Sequence, residues 1–402
     1  MSDLKASVSE TASFHVEGYE KIEYDFTFLD GVFEPQNVQL AKLYERWGRC
    51  VAIMDKNIYD LYGAQMQRYF ALHNLSLQVH QTMIGEKAKS LETFTSIVDL
   101  MTEFGIFRKE PVLVVRGGPV TDVAGFACAA YRRNTNYIRI PTTVIGLFDA
   151  SVSIKVAINY GNYKNRLGAY HAPRCTPWCC ARSPKHRCSI RFAELIKISS
   201  CAHLPTFDLL DEFCERLIES RFGRLGDQHG EVRRAADEIN RAGIVEMLKL
   251  EAPNLHEIGL DRVIAYGHTW SPLHELAPSV PLRHGHAISI DMAYSATLAL
   301  TRGLLSTPEH NRLLTLFSRA SLSMDHELFD EETLEKATKA ILETRDGLLR
   351  AAAPSPLGSC KFLNDVSYKE LFGALRLHKE LVKAYPRQGA GIEAYVNASD
   401  TG

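Results

Sequence analysis

A chain of 402 residues is long enough for two or three domains, each with its own core. Hydrophobic residues at 46% and charged residues at 23% exclude wholesale disorder, and a formal net charge of −2 gives no electrostatic footprint for nucleic acid or an anionic membrane. No apolar run approaches the about 18 residues of a membrane-spanning helix, and the polar start Met1-Ser2-Asp3-Leu4-Lys5-Ala6 has no apolar stretch behind it, so the expected compartment is the cytoplasm with no membrane partner.

In chain order, residues 1–20 are expected to form a flexible arm. Val51-Ala52-Ile53-Met54-Asp55 is an apolar run closed by an acid, as in a buried parallel strand. Leu75-Ser76-Leu77-Gln78-Val79 alternates as a second strand, and the spacing of Leu91, Phe94, Ile97, Val98 and Met101 predicts a helix over 90–108. Pro111-Val112-Leu113-Val114-Val115 reads as a central strand that enters Arg116-Gly117-Gly118-Pro119 and then a helix of small residues around 125–130. Strand, glycine turn and helix is the layout of a nucleotide-binding βα unit. Tyr137-Ile138-Arg139-Ile140-Pro141 is a further strand ending at Thr142-Thr143.

After about residue 190 helical patterns dominate, at 192–203, 206–221, 230–250, 284–303, 308–321, 331–343 and 367–384. The predicted organisation is an α/β, Rossmann-like domain over 21–190 and a mostly α-helical domain over 191–402, with a cleft between them.

Three groups of residues could carry chemistry. Gly117 and Gly118 with Asp122 suit a pyrophosphate at a helix N-terminus, or are an ordinary tight turn; Asp55 suits a ribose hydroxyl, or caps a helix. Asp149, Lys155, Lys164, Asn165 and Arg166 suit a phosphate or a polyhydroxylated substrate, or form a solvated loop. Glu194, His268 and His284 could supply a three-ligand zinc site with a position open to substrate oxygens, or be separate structural groups among 15 histidines.

These stretches together resemble the sugar phosphate cyclase superfamily, whose best-known member is dehydroquinate synthase, from about residue 14 to about residue 390. The glycine turn with Asp122, Asp149 with Lys155, Lys164-Asn165, Ala193-Glu194 with Lys197, Gly267-His268-Thr269 and His284-Gly285 match its motifs. The resemblance implies tightly held NAD, with Asp55, Glu86, Lys89, Gly117, Gly118, Asp122, Thr142, Thr143 and Lys164 around it. It implies Zn2+ or Co2+ on Glu194, His268 and His284. It gives Lys155, Lys197 and Asp149 catalytic roles, places Asn165, Asp261, His268 and His284 on a small sugar phosphate, and implies a homodimer. Three positions depart from dehydroquinate synthase itself: Pro272, Ala265 and Asp261 stand where that enzyme has His, Asn and Arg. Loss of the Arg argues for an uncharged sugar end, and the sedoheptulose 7-phosphate cyclases fit. Two product branches of those cyclases share these residues. Asn134–Thr143, Arg166–His171 and Asp261–Pro272 resemble the branch that adds a loss of water.

Two further departures concern this chain alone. Arg116 stands where relatives have a third glycine. Residues 174–190, with Cys175, Cys179, Cys180, His186 and Cys188, lack the apolar strand and aspartate turn of relatives. A locally shifted reading frame accounts for this, with a core strand expected to be missing; a Cys/His metal insert is the alternative. Two rival classes are a non-catalytic binding protein on the cyclase fold and a metal-dependent alcohol dehydrogenase.

Overall fold

The computed structural model describes residues 5–8, 14–18, 20–29, 31–83, 85–115, 117–142, 152–161, 163–178, 186–223, 225, 230–276 and 280–396. The chain runs through β1 (Lys5–Val8), β2 (Phe14–Glu17), β3 (Asp25–Phe28), α1 (Gln39–Lys42), β4 (Arg49–Asp55), α2 (Lys56–Leu72) and β5 (Ser76–Thr82). It continues with α3 (Leu91–Glu103), β6 (Val112–Val115), α4 (Gly118–Ala130), β7 (Tyr137–Ile140), β8 (Lys155–Tyr160), β9 (Tyr163–Tyr170) and β10 (Cys175–Trp178). The remainder is α5 (His186–Ala202), α6 (Leu204–Glu219), α7 (Glu231–Glu251), α8 (Ser271–Leu276), α9 (His284–Thr301), α10 (Thr307–Arg319), α11 (Glu331–Thr344), β11 (Ala351–Pro354), β12 (Cys360–Leu363) and α12 (Tyr368–Val382).

A six-stranded parallel sheet, ordered β3-β10-β7-β6-β4-β5, forms the first half. Its central strands are apolar on both faces because both faces are covered. Cys50, Ala52 and Met54 of β4, with Leu113 and Val115 of β6, pack under α1 and α2. Val51, Ile53, Val112 and Val114 pack on the other face with α3 and α4. Gly125 of α4 lets this helix approach β8, since a Cβ there would lie 2.4 Å from a Val156 methyl.

The second half is one helical core around α9, which is buried from Gly285 to Ala299. A helix that is apolar on every side sits at the centre of a bundle, and α5, α8, α10 and α12 pack on it.

Four expectations are revised. Residues 5–17 of the expected flexible arm contain the antiparallel pair β1–β2. The sheet is not missing its strand: β10 lies within the anomalous segment and pairs with β3 over four residues and with β7 at Cys175, since a parallel slot needs backbone groups rather than a particular apolar sequence. The segment around Lys155, Lys164 and Asn165 is an antiparallel ribbon, β8–β9, rather than a loop. The helical half also carries a second ribbon, β11–β12, whose Ala351-Ala352-Ala353 run gives no strand signal.

Candidate active site

The nucleotide side is built from α4 and the ribbon. Gly117 caps α4 in an extended conformation without a side-chain bond, and no acid lies in the first turn. A Cβ on Gly118 would meet nothing within 4 Å, so the helix end stands clear for an anion. Lys89 Nζ donates to Asp122 Oδ2 at 2.7 Å and to Asn165 Oδ1. Asn159 Nδ2 donates to Glu86 Oε1 at 2.8 Å, and its Oδ1 accepts the Asn165 backbone N–H at 2.9 Å. One network therefore gathers Glu86, Lys89, Asp122 and Asn165, with Asn159 as an unpredicted hub. Asn165 is held at a φ of 52°, where its short amide is tolerated. Thr142 is buried, and its hydroxyl has no hydrogen-bond partner. Asp55 caps α2 by accepting the Ile58 N–H at 2.9 Å. Lys164 lies on β9.

The three candidate ligands converge. One donor atom from each of Glu194, His268 and His284 lies within 4.8 Å of the others, the one such cluster among the described residues. Glu194 is on α5, where Lys197, one turn on, sits 2.5 Å from its Oε2; both are almost wholly buried. His284 opens α9, and its Nε2 is 3.0 Å from Glu194 Oε1. Burial opposes ionisation of Glu194, yet Lys197, His284 and His268 outweigh it and hold the carboxyl below its usual range. Burial, with Lys197 beside it, lowers His268 to about 4, which keeps the imidazole neutral and its lone pair free for a cation.

His268 is aimed by the backbone around it. Gly267 sits at a φ of 76°, with Met292 and Ile288 of α9 where a Cβ would be, so only glycine fits. The Tyr266 carbonyl lies 3.2 Å from His268 Nδ1, and the Tyr266 hydroxyl donates to Met292 O. Asp291 of α9 accepts the backbone N–H groups of Trp270 at 2.5 Å and Ser271 at 2.9 Å. The loop bearing one imidazole is thus fastened to the helix bearing the other. Sequence reasoning missed Asp291, although it is the single formally charged residue between Gly285 and Thr301.

Lys155 Nζ of β8 donates to Glu257 Oε1 at 2.7 Å, and Arg262 donates to the same oxygen. Asp261 accepts from Arg350 at 2.9 Å. Asp149, Thr143, Arg116, Cys179 and Cys180 lie outside the described residues. His186 and Cys188 fall on α5, and Cys175 is on β10.

Such a nucleotide-type sheet joined to a helical bundle with a Glu-His-His cluster defines a class. The chain belongs to the dehydroquinate synthase-like family of sugar phosphate cyclases. Its residues 79–181 match the 3-dehydroquinate synthase N-terminal family and residues 192–345 match the 3-dehydroquinate synthase C-terminal family. More particularly, it is 51% identical over 97% of its length, and 96% of the relative, to the demethyl-4-deoxygadusol synthase of Trichormus variabilis. It is 36% identical over 90% of its length, and 96% of the relative, to a 2-epi-5-epi-valiolone synthase of Actinomyces sp.. Among solved structures it resembles the 2-epi-5-epi-valiolone synthase of Streptomyces hygroscopicus subsp. jinggangensis 5008, which has NAD+ and Zn2+ bound. The TM-score is 0.84 at 32% identity, covering 91% of this chain and 99% of that one. No helix among the described residues is long and apolar enough to cross a membrane.

Proposed function

We propose that this chain is a sedoheptulose 7-phosphate cyclase that uses NAD and a divalent metal to form demethyl-4-deoxygadusol, the branch that ends with loss of water. The observation that carries the proposal is the convergence of Glu194, His268 and His284 in a chain 51% identical over 97% of its length to such a synthase.

The residues fit both groups. One carboxylate and a neutral imidazole, with a second imidazole beside them, suit Zn2+ or Co2+ and leave room for substrate oxygens. The unencumbered N-terminus of α4 and the unpartnered Thr142 hydroxyl suit NAD. When bound, NAD would supply reversible hydride acceptance and the ion would polarise sugar hydroxyl oxygens, which together would acidify the C–H next to the oxidised carbon and favour loss of phosphate.

The chain's own residues do the positioning. Lys155, pre-oriented by Glu257, and Asn165, pre-oriented by Lys89, hold phosphate and ring hydroxyls in place for elimination and then for the intramolecular aldol closure. Buried Lys197 keeps Glu194 ionised as a ligand and offers its remaining protons to a sugar oxygen. Asp261, paired with Arg350, meets the uncharged end of the sugar. Glu86, Lys89, Gly117, Gly118, Asp122 and Lys164 serve NAD; Asp55, Asp149 and Thr143 take their roles from the resemblance. The assignment includes a nucleotide-binding domain over 21–190, a metal and substrate domain over 191–402, a homodimer, and the cytoplasm.

The test is incubation with sedoheptulose 7-phosphate, NAD+ and Zn2+. The expected result is release of phosphate together with a conjugated, ultraviolet-absorbing product of the mass of demethyl-4-deoxygadusol. Phosphate release with a non-absorbing product would move the chain to the valiolone-forming branch, and no phosphate release would refute a cyclase.

A further inference from the structure

We propose that Cys201 and Cys360 form a redox-active thiol pair, closed to a disulfide by an oxidant of the peroxide class, and that closure weakens the metal site.

The two residues are far apart in sequence and adjacent in the fold. Cys201 lies in the last turn of α5 and is buried; Cys360 opens β12 and is partly exposed. The turn before β12 is pressed onto the end of α5. The Gly358 N–H donates to Ser200 O at 2.7 Å, and a Cβ on Gly358 would lie 2.8 Å from the Leu204 Cβ. Two residues beyond that bond on one side and one on the other, the thiols of Cys360 and Cys201 lie close enough to influence each other's ionisation. Cys50, Cys128, Cys175 and Cys214 have no second thiol among the groups that shift their ionisation.

The environment divides the labour. Burial pushes the Cys201 thiol well up, whereas Cys360 is the less buried of the two. Cys360 is therefore the attacking, accessible sulfur and Cys201 the resolving one. The Cys360 sulfur attacks one peroxide oxygen; an S–O bond forms, the O–O bond breaks and one water leaves. Cys201 sulfur then attacks that sulfur; the S–S bond forms, the S–O bond breaks, and a second water leaves. Two thiols supply two electrons and one peroxide is reduced.

Closure reaches the metal site by two routes. Glu194, Lys197 and Cys201 lie at i, i+3 and i+7 on α5, hence on one face. Drawing the sulfurs together to about 2.05 Å pulls the end of that helix toward β12. Tyr266 lies beside both thiols, and its carbonyl faces His268 Nδ1.

The experiment treats the full chain, loaded with Zn2+ and NAD+, with hydrogen peroxide, then blocks free thiols and maps peptides. The expected result is a peptide containing Cys201 joined to one containing Cys360. Zinc affinity, read by competition with a chelating dye, falls at least tenfold and returns with dithiothreitol. Cys360→Ser and Cys201→Ala should keep the reduced chain's zinc affinity and lose the response. Free thiols at both positions after oxidation, sulfonic acid at Cys360 without a cross-link, or an equal loss of zinc affinity in Cys360→Ser would each overturn the proposal. A cross-link with unchanged zinc affinity would overturn its regulatory half. Peptide mapping and zinc affinity need no sugar substrate, so their outcome is independent of the cyclase assignment.

Discussion

Replacing Asp291 by Asn should stabilise the metal-free chain at pH 8. Burial raises this carboxyl to about 6 despite the backbone N–H groups of Trp270 and Ser271 and the Ser295 hydroxyl that it accepts. The gap between about 6 and the ordinary 3.8 corresponds to about 3 kcal/mol. The folded state binds the proton more tightly than the unfolded one, so the group's contribution is most favourable below pH about 4 and is lost as pH rises through about 6. Asn keeps a carbonyl oxygen for Trp270 and Ser271 and turns its amide to Ser295 without carrying charge. Urea unfolding of the chelated chain at pH 4, 6 and 8 should therefore show Asp291→Asn more stable by about 3 kcal/mol at pH 8 and nearly equal to the parent at pH 4. Chelation matters because a bound cation nearby would favour the carboxylate. Asp291→Ala, which leaves two buried N–H groups unpaired at about 1–3 kcal/mol each, should instead destabilise the chain and weaken zinc binding by freeing the His268 loop. A difference that does not change with pH, or an Asn variant less stable at pH 8, would refute the reasoning.

Three other substitutions probe the site. Glu194→Gln removes a ligand and strips buried Lys197 of its counter-charge, so zinc affinity should collapse and stability should fall by about 3–5 kcal/mol, read by dye competition and urea unfolding. Gly267→Ala should cost about 1–3 kcal/mol, because the residue sits at positive φ against Met292, while Gly118→Ala should change thermal stability little. Lys155→Met should raise the KM for the sugar phosphate at least tenfold while NAD+ affinity stays within twofold; Lys89→Met should weaken both, because Lys89 binds Asp122 and Asn165 together.

The sequence was legible where a single period dominated. Helices α5 to α7 and α9 to α12 and strands β4, β6 and β7 declare themselves because each buries a continuous stripe or both faces. β8–β9 did not, because Lys164-Asn165-Arg166 is polar on both faces of the ribbon; β11 did not, because three alanines carry little strand preference. β10 was hidden because Arg174-Cys175-Thr176-Pro177-Trp178 carries no apolar alternation, although the sheet still has a place for its backbone. Glu194, His268 and His284 were legible as motifs, but their meeting was not, since 90 residues separate Glu194 from His284. The supporting contacts were least legible of all. Lys155 meets Glu257 across 102 residues, and Asp291 meets Trp270 across 21. Local pattern carries no information about such pairs.

X-ray absorption at the zinc edge, combined with metal counting, tests the site most directly. One zinc per chain, coordinated by light atoms at about 2.0–2.1 Å with a two-imidazole signature that disappears in His268→Ala, is the result the proposed assignment predicts. A sulfur shell at about 2.3 Å would place the ion on the cysteines of 175–188 and contradict the assignment.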